Sequence, residues 1–266
     1  MNAGARRALR GAVFQYQARD ERPKDRLDRL AAALKNVGRD AIDLVVCPEL
    51  FLSGYNIGSR VADLAEPTDG PFGKGIAALA LEYNTAILYG YPERDSGRCH
   101  NAAACFDADG RLIANHRKLR LPNEYEQTHF ACGEGFTYCE IAGWKIGVLV
   151  CYDIEFPESV RACALGGAEI VVAPTALKAE WSFVARRMIP TRAFENGVFV
   201  VYANYAGQEG EFTYLGESCV IGPDGSELAR GGSGEEMLQA TLDASLIAAA
   251  RAKLPYLRDR NAIPRV

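Results

Sequence analysis

The run Ile146-Gly147-Val148-Leu149-Val150 ends on Cys151, and Tyr152-Asp153-Ile154-Glu155-Phe156 then leads into Pro157. A short, unbroken apolar run suits a strand buried on both faces, and a Pro-led segment after it reads as a helix start. Cys151 therefore stands where strand passes to helix, at the carboxyl edge of a sheet, where open α/β folds place their chemistry. A thiol there meets backbone N–H groups of the following turn, which suits a nucleophile that builds an oxyanion. Cysteine is also an ordinary small core residue. That is the reading for the remaining cysteines, and two further motifs separate Cys151 from them.

The first motif is Ala41-Ile42-Asp43-Leu44-Val45-Val46-Cys47-Pro48-Glu49, a second buried-strand pattern that delivers Glu49 at its carboxyl end. Desolvation there favours the neutral carboxyl, which suits a general base working near neutral pH. The turn Ser53-Gly54-Tyr55-Asn56 follows. The second motif is Asn115-His116-Arg117-Lys118-Leu119-Arg120-Leu121-Pro122-Asn123-Glu124, in which Lys118 ends a strand after the turn Asp107-Ala108-Asp109-Gly110. A lone lysine is usually a solvated charge. Among carboxylates, its ammonium can stabilise an oxyanion, with Glu124 as the partner to hold it. His116, two residues before Lys118, shares a strand face with it and offers a Cys–His alternative. A hydrogen-bonded structural role is the favoured reading of that histidine.

Strand-like runs fall at 8–15, 44–47, 85–91, 102–106, 112–117, 145–150, 170–174, 198–203, 218–221 and 237–242. Helical patterns fall at 24–37, 75–83, 157–165 and 183–196. Hairpin turns at Asp107–Gly110 and Pro223-Asp224-Gly225 mix with βα units, which predicts mixed sheets covered by helices. Gly166-Gly167 supplies a helix stop, and Gly231-Gly232-Ser233-Gly234 reads as a flexible turn. A chain of 266 residues fits one α/β domain over 1–266. A net charge of −4 lacks the basic excess of a nucleic-acid binder. The cysteines fit neither a zinc site nor a disulfide framework, and a reactive thiol in a reducing cytoplasm is the simpler account. Arg6, Arg7 and Arg10 precede no apolar signal segment, and no stretch approaches a membrane span, so a cytoplasmic protein is expected. No ligand cluster at metal spacing and no phosphate-cradling glycine loop occurs, so no metal or organic cofactor is expected.

Glu49, Lys118 and Cys151, in this order and context, resemble the nitrilase superfamily, the carbon–nitrogen hydrolases. The matching pieces are Cys47-Pro48-Glu49 with Gly54-Tyr55, then Arg117-Lys118 with Glu124 and Phe130-Ala131-Cys132-Gly133. The third runs from Gly147 through Cys151-Tyr152-Asp153 to Phe156-Pro157-Glu158. Arg120 departs from the pattern, standing where many members have histidine. The resemblance extends over nearly the whole chain, from about Gly11 to Tyr256. It implies an α/β fold of the four-layer αββα sandwich type, a homodimer, and cysteine-dependent hydrolysis of a small aliphatic amide through a thioester. In that scheme Glu49 is the base, Cys151 the nucleophile, and Lys118, oriented by Glu124, holds the oxyanion with the Tyr152 N–H.

The similarity is greatest to aliphatic amidase and 5-aminopentanamidase-like members. It rests on Cys151-Tyr152-Asp153-Ile154-Glu155-Phe156-Pro157-Glu158, Gly54-Tyr55-Asn56-Ile57-Gly58 and Tyr89-Gly90-Tyr91-Pro92-Glu93-Arg94. An acidic pocket containing Glu155 would suit the ammonium end of an ω-amino amide. A helix N-terminus favours an acid at that position in any case. Tyr55, Tyr152 and Trp181 are expected around the substrate; Tyr205 and Phe212 follow strand ends or sit in loops on the same side, and core or interface packing is the commoner fate of any single aromatic. The alternative is an ω-amidase or N-carbamoyl-amine hydrolase, with Arg186 or Arg187 recognising a carboxylate. A chain ending soon after Tyr256 favours amides over nitriles. A catalytically silent interaction module is the distant alternative, disfavoured because Glu49, Lys118 and Cys151 are all present.

Overall fold

The computed structural model describes residues 6–264. Strand β1 (Leu9–Ala18) is followed by helix α1 (Pro23–Val37) and strand β2 (Leu44–Val46). Helices α2 (Arg60–Leu64) and α3 (Pro71–Tyr83) precede three strands, β3 (Ala86–Asp95), β4 (Arg98–Phe106) and β5 (Leu112–Arg117). Helix α4 (Glu124–His129) leads to β6 (Thr137–Ile141), β7 (Trp144–Val148), α5 (Pro157–Leu165) and β8 (Ile170–Pro174). Helix α6 (Ile189–Asn196) precedes β9 (Phe199–Ala203), β10 (Tyr205–Glu209), β11 (Phe212–Leu215) and β12 (Cys219–Ile221). The last elements are β13 (Glu227–Arg230), β14 (Glu236–Leu242), α7 (Ala244–Lys253) and α8 (Tyr256–Asp259).

Two sheets form. The 8-stranded sheet runs β11-β10-β1-β2-β3-β4-β5 with β14 also on β1, and the 6-stranded sheet runs β13-β12-β9-β8-β7-β6. Side-chain alternation along β1 explains the layering. Phe14 and Tyr16 face Leu30 and Leu34 of α1, whereas Val13 faces inward with Val46 and Leu88 to meet Ile146, Val148 and Val172 of the other sheet. On the outer face of the second sheet, Val171, Ala173 and Val200 pack on Val160 and Cys163 of α5 and on Ile189 and Ala193 of α6. The result is the expected αββα sandwich. Both faces of each central strand are buried, which is why these strands read as continuous apolar runs.

Strand direction sets where the chemistry goes. β2 and β3 pair parallel, and two antiparallel steps through β4 turn β5 back to that direction. The carboxyl ends of β2 and β5 therefore share one edge of the first sheet. In the second sheet β7, β8 and β9 are mutually parallel. The Glu49 N–H donates to Thr175 O across 3.4 Å, bridging the segment after β2 to the residue after β8.

Several details differ from the pattern read in the sequence. The helix expected over 183–196 begins with a wide π-type turn, Val184–Met188, before α6. Pro190 lies in the first turn of α6, where a missing N–H is tolerated. The glycines after α5 do end it: the Gly166 N–H bonds to Ala162 O at 2.8 Å and Gly167 takes φ +89°. Gly232 and Gly234 are tied down through their carbonyls, which accept from Gln15 Nε2 at 3.0 and 2.6 Å. No helix among the described residues is long and apolar enough to cross a membrane.

Candidate active site

The chain leaves β2 through Cys47, whose N–H bonds to Leu88 O at 2.8 Å, and Pro48, whose carbonyl accepts the Gly90 N–H at 3.1 Å. Gly90 is required there: a Cβ would lie 2.6 Å from the Glu49 Cα and closer still to Leu50 N. Leu50 takes a positive φ of 48°, turning the chain sharply after Glu49. The Glu49 side chain is thereby directed into the interior, fully buried.

Lys118 follows β5, and its N–H is fixed by Asn101 O at 2.8 Å. Its Nζ donates to Glu49 Oε1 and to Glu126 Oε1, each at 2.7 Å, with none of the three side chains exposed. Asn101 Nδ2 donates to Glu49 Oε1 at 2.7 Å and reaches Glu126 Oε2 at 3.4 Å. Tyr55 Oη donates to Glu126 Oε1 at 2.6 Å. The lysine partner is therefore Glu126, not the expected Glu124. Residues two positions apart on a helix, such as Glu124 and Glu126, lie about 200° apart around its axis, so only one of the pair can face the lysine. The Asn123 cap, whose Oδ1 accepts the Glu126 N–H at 2.9 Å, sets the phase that turns Glu126 inward and leaves Glu124 exposed at the rim of the cleft.

Cys151 opens a short 3-10 turn, Cys151–Glu155, with φ +46°. A non-glycine residue at that angle is strained, a feature that concentrates at functional sites. Its Sγ accepts from Thr175 Oγ1 at 3.0 Å. Burial, then the charge of Glu49, pushes the thiol well above its ordinary pKa, while Lys118, the Thr175 hydroxyl and the Ala176 N–H oppose that rise. Burial likewise raises the Glu49 carboxyl, with Lys118 opposing and Glu126 adding. For Lys118, burial acts to lower the pKa, but Glu49 and Glu126 outweigh it and hold the ammonium well above its usual value.

Asp153 joins the lysine segment to the cysteine turn. Its carboxylate accepts the N–H groups of Leu119 at 3.1 Å, Arg120 at 3.0 Å and Val150 at 3.3 Å. Arg120 thus contributes its backbone to this joint while its side chain is exposed. His116 is buried with Nδ1 3.2 Å from Thr137 Oγ1 and Nε2 3.5 Å from Asp153 Oδ2. His100 Nδ1 meets Ala131 O at 2.9 Å and His129 Nδ1 meets Tyr125 O at 2.8 Å. These contacts give the histidines structural places and provide no Cys–His pair.

A cleft of about 670 Å³ opens over Cys151, walled by Tyr55, Tyr125, Trp181 and Phe212. Tyr152 also lines it and packs edge-on against Phe156, with ring centroids 4.9 Å apart. Trp181 remains 56% exposed, so its ring borders the mouth. Tyr205, by contrast, is buried beneath the cleft wall with Oη donating to Leu50 O at 3.0 Å. Glu155 lines the cleft half-buried, and burial raises its carboxyl pKa. Its backbone is braced by Arg192, whose Nη2 donates to Glu155 O at 2.6 Å. Arg186 pairs with Glu217 through an Nε–Oε2 bond of 2.7 Å, and neither Arg186 nor Arg187 lines the cleft. No group of three or more His, Cys, Asp or Glu side chains that could hold a metal occurs among the described residues.

Sequence reasoning missed Glu126, Asn101, Asp153 and Thr175. Glu126 had a readable signal: Asn123 and Glu126 have the N-cap and N3 spacing of a capping box, which announces a helix starting at Glu124.

This fold and this site define a protein of the nitrilase superfamily. Residues 10–252 match the model of the carbon–nitrogen hydrolase family. A protein of Pseudomonas protegens described as a hydrolase in the pqqF 5' region is 45% identical over 258 residues, covering 96% of this chain and 90% of its own. An (R)-stereoselective amidase of a Pseudomonas species is 33% identical, covering 94% of this chain and 90% of its own. The structure of a mutant amidase from Nesterenkonia sp. AN1 superposes with a TM-score of 0.86 at 30% identity, covering 98% of this chain and 95% of that one. That structure carries the acetamide moiety of fluoroacetamide added covalently at its active-site cysteine. The chain belongs to the carbon–nitrogen hydrolase family, and it is an amidase-type hydrolase.

Proposed function

We propose that the protein hydrolyses small linear amides to carboxylic acid and ammonia through a thioester on Cys151, and that its preferred amides carry an amine at the far end. The observation that carries the reaction is the bridging of Glu49 and Glu126 by Lys118 Nζ, at 2.7 Å to each, beside the Cys151 turn. Glu49 takes the thiol proton as sulfur bonds to the amide carbon. Lys118 and the Tyr152 N–H receive the carbonyl oxygen as it becomes an oxyanion; leading N–H groups of a helical turn lack intrahelical partners. The C–N bond then breaks as Glu49 returns the proton to the departing nitrogen, which leaves as ammonia. Water, deprotonated by the same carboxylate, attacks the thioester and releases the acid and the thiol. Glu126 and Asn101 hold Lys118 and Glu49 in register.

The substrate reading rests on Glu155, whose half-buried carboxylate has no hydrogen-bond or ion-pair partner among the described residues. Glu124 adds a second negative charge at the rim, while the cleft's Lys178 has its Nζ 2.7 Å from Glu180 Oε1. A carboxylate desolvated in this way gains most from an ammonium group.

The test is ammonia release from 5-aminopentanamide, propionamide and glutaramate, with C151A as control. The expected order places 5-aminopentanamide first, and E155Q should lower kcat/KM for it while sparing propionamide. Preference for glutaramate would overturn the amine reading and turn attention to Lys178. Full activity in C151A would overturn the thioester mechanism itself.

A further inference from the structure

Thr175 is buried against the nucleophile and has no part in the mechanism above. It follows Pro174 at the end of β8, and its N–H is fixed by Ala203 O at 2.8 Å. Its Oγ1 lies 3.0 Å from Cys151 Sγ and 3.1 Å from the hydroxyl of Tyr202, a β9 residue that is also buried. The carbonyl of Thr175 accepts the Glu49 N–H, so one residue touches the sulfur with its side chain and the base with its backbone.

A hydroxyl has one proton to give and lone pairs to accept with. The order in which both oxygens act as donors runs Tyr202 Oη to Thr175 Oγ1 to Cys151 Sγ. A bond from the phenol strengthens the threonine hydroxyl as a donor, because chained hydrogen bonds polarise one another. A β-branched side chain in a packed interior has few χ1 options, so this donor is held in place before sulfur becomes charged. If the hydroxyl needed only to be satisfied, Tyr202 alone would suffice and the short contact with sulfur would have no consequence.

We propose that Thr175 is a further catalytic residue of this hydrolase, donating a hydrogen bond to the Cys151 thiolate as it forms, and that Tyr202 is a positioning residue that aligns this donor. The proposal rests on the reading of Cys151 as nucleophile. The proton removed from sulfur goes to Glu49, and the Thr175 proton stays on its oxygen throughout. The hydroxyl therefore stabilises the charged sulfur and consumes nothing.

The test follows the rate of carboxamidomethylation of Cys151 by iodoacetamide against pH, read by mass spectrometry of the peptide that contains Cys151. T175V should alkylate about tenfold or more slowly at neutral pH, the scale of a lost hydrogen bond to a charged group. Its profile should move to higher pH, with kcat falling in parallel. T175S should restore both to within about threefold, and Y202F should shift the profile in the same direction by less. A T175V profile that overlays wild type, with C151A inactive, would overturn the proposal and leave the nucleophile assignment standing. Full activity of C151A would instead remove the assignment on which it rests. Should T175V fail to fold, Y202F decides: a native circular dichroism spectrum with an unshifted profile overturns the relay.

Discussion

Lys118 Nζ and Glu126 Oε1 lie 2.7 Å apart with neither side chain exposed, and Tyr55 Oη shares the same carboxylate oxygen at 2.6 Å. Buried charges survive only where partners surround them. A cluster of one ammonium and two carboxylates holds the ammonium in place from both sides, so that its remaining donor capacity is directed elsewhere. In the proposed reaction that direction is the substrate oxygen. E126Q should therefore lower kcat by about 10²-fold or more, the scale of a misplaced oxyanion donor. E124Q, on the exposed face of α4, should stay within about threefold of wild type for propionamide. Steady-state ammonia release from the two variants, with circular dichroism as the folding control, separates them.

Removing the lysine tests the same cluster from the other side. K118M should cost about 10²–10³ in kcat. It should also lower stability at neutral pH, because Glu49 and Glu126 are left as like charges in a buried site. The sign of the pH dependence follows. Without the ammonium, the Glu49 carboxyl, already raised by burial and by Glu126, loses the charge that opposes the rise. Such a group costs nothing below the unfolded pKa, and stability is lost as pH rises through the folded pKa. Thermal melts should show the deficit of K118M shrinking as pH falls from neutral toward the ordinary carboxylate range.

Much of this arrangement is visible in the chain before any coordinates. Glu49 and Cys151 each follow a run whose apolar character demands a buried strand, and Lys118 stands at the end of a strand announced by the turn Asp107–Gly110 before it; a strand end is a place that sequence can specify. Glu126 is different, because the choice between it and Glu124 depends on helical phase, and the phase is set by the Asn123 cap rather than by hydrophobic spacing. Asn101 and Thr175 carry no local signal at all. One sits inside a strand and the other just past one, and each acquires its role only when the ends of β2, β5, β7 and β8 converge. The missed strands have physical reasons too. β10 contains Gly207 and the polar Gln208, and β11 is half-exposed, so neither shows a clean apolar run. The helix α7 buries only Ile247, which leaves no stripe for periodicity to reveal.

The proposed base has a pH signature. Burial raises the Glu49 carboxyl, Lys118 opposes this and Glu126 adds to it. The base works only when ionised, so kcat/KM should fall on the acid side with a midpoint above that of an exposed glutamate, about 4.3. E49Q should abolish turnover without lowering the melting temperature at neutral pH, since a buried group whose folded pKa is raised stabilises the fold in its neutral form. An acid limb at the ordinary glutamate value, or substantial turnover by E49Q, would remove Glu49 from the role of base.

The position of the Glu49 carboxylate also depends on a residue outside the cleft lining. Gly90 on β3 packs against the backbone of the Glu49 segment, where a Cβ would fall 2.6 Å from both Pro48 O and the Glu49 Cα. These atoms belong to backbone that also carries the Gly90–Pro48 hydrogen bond of 3.1 Å, so no flexible side chain can yield. G90A must push the strands apart or displace the Glu49 segment. Overpacking of this kind costs about 1–3 kcal/mol, and a shift of about 1 Å in a catalytic group can cost 10²-fold in rate. The variant should melt earlier and lose more than tenfold in kcat even at temperatures where it remains folded. Gly135 supplies the control: it is exposed, a Cβ there meets nothing within 4 Å, and G135A should change neither quantity. A folded G90A with wild-type kcat would show that the carboxylate position does not depend on this contact.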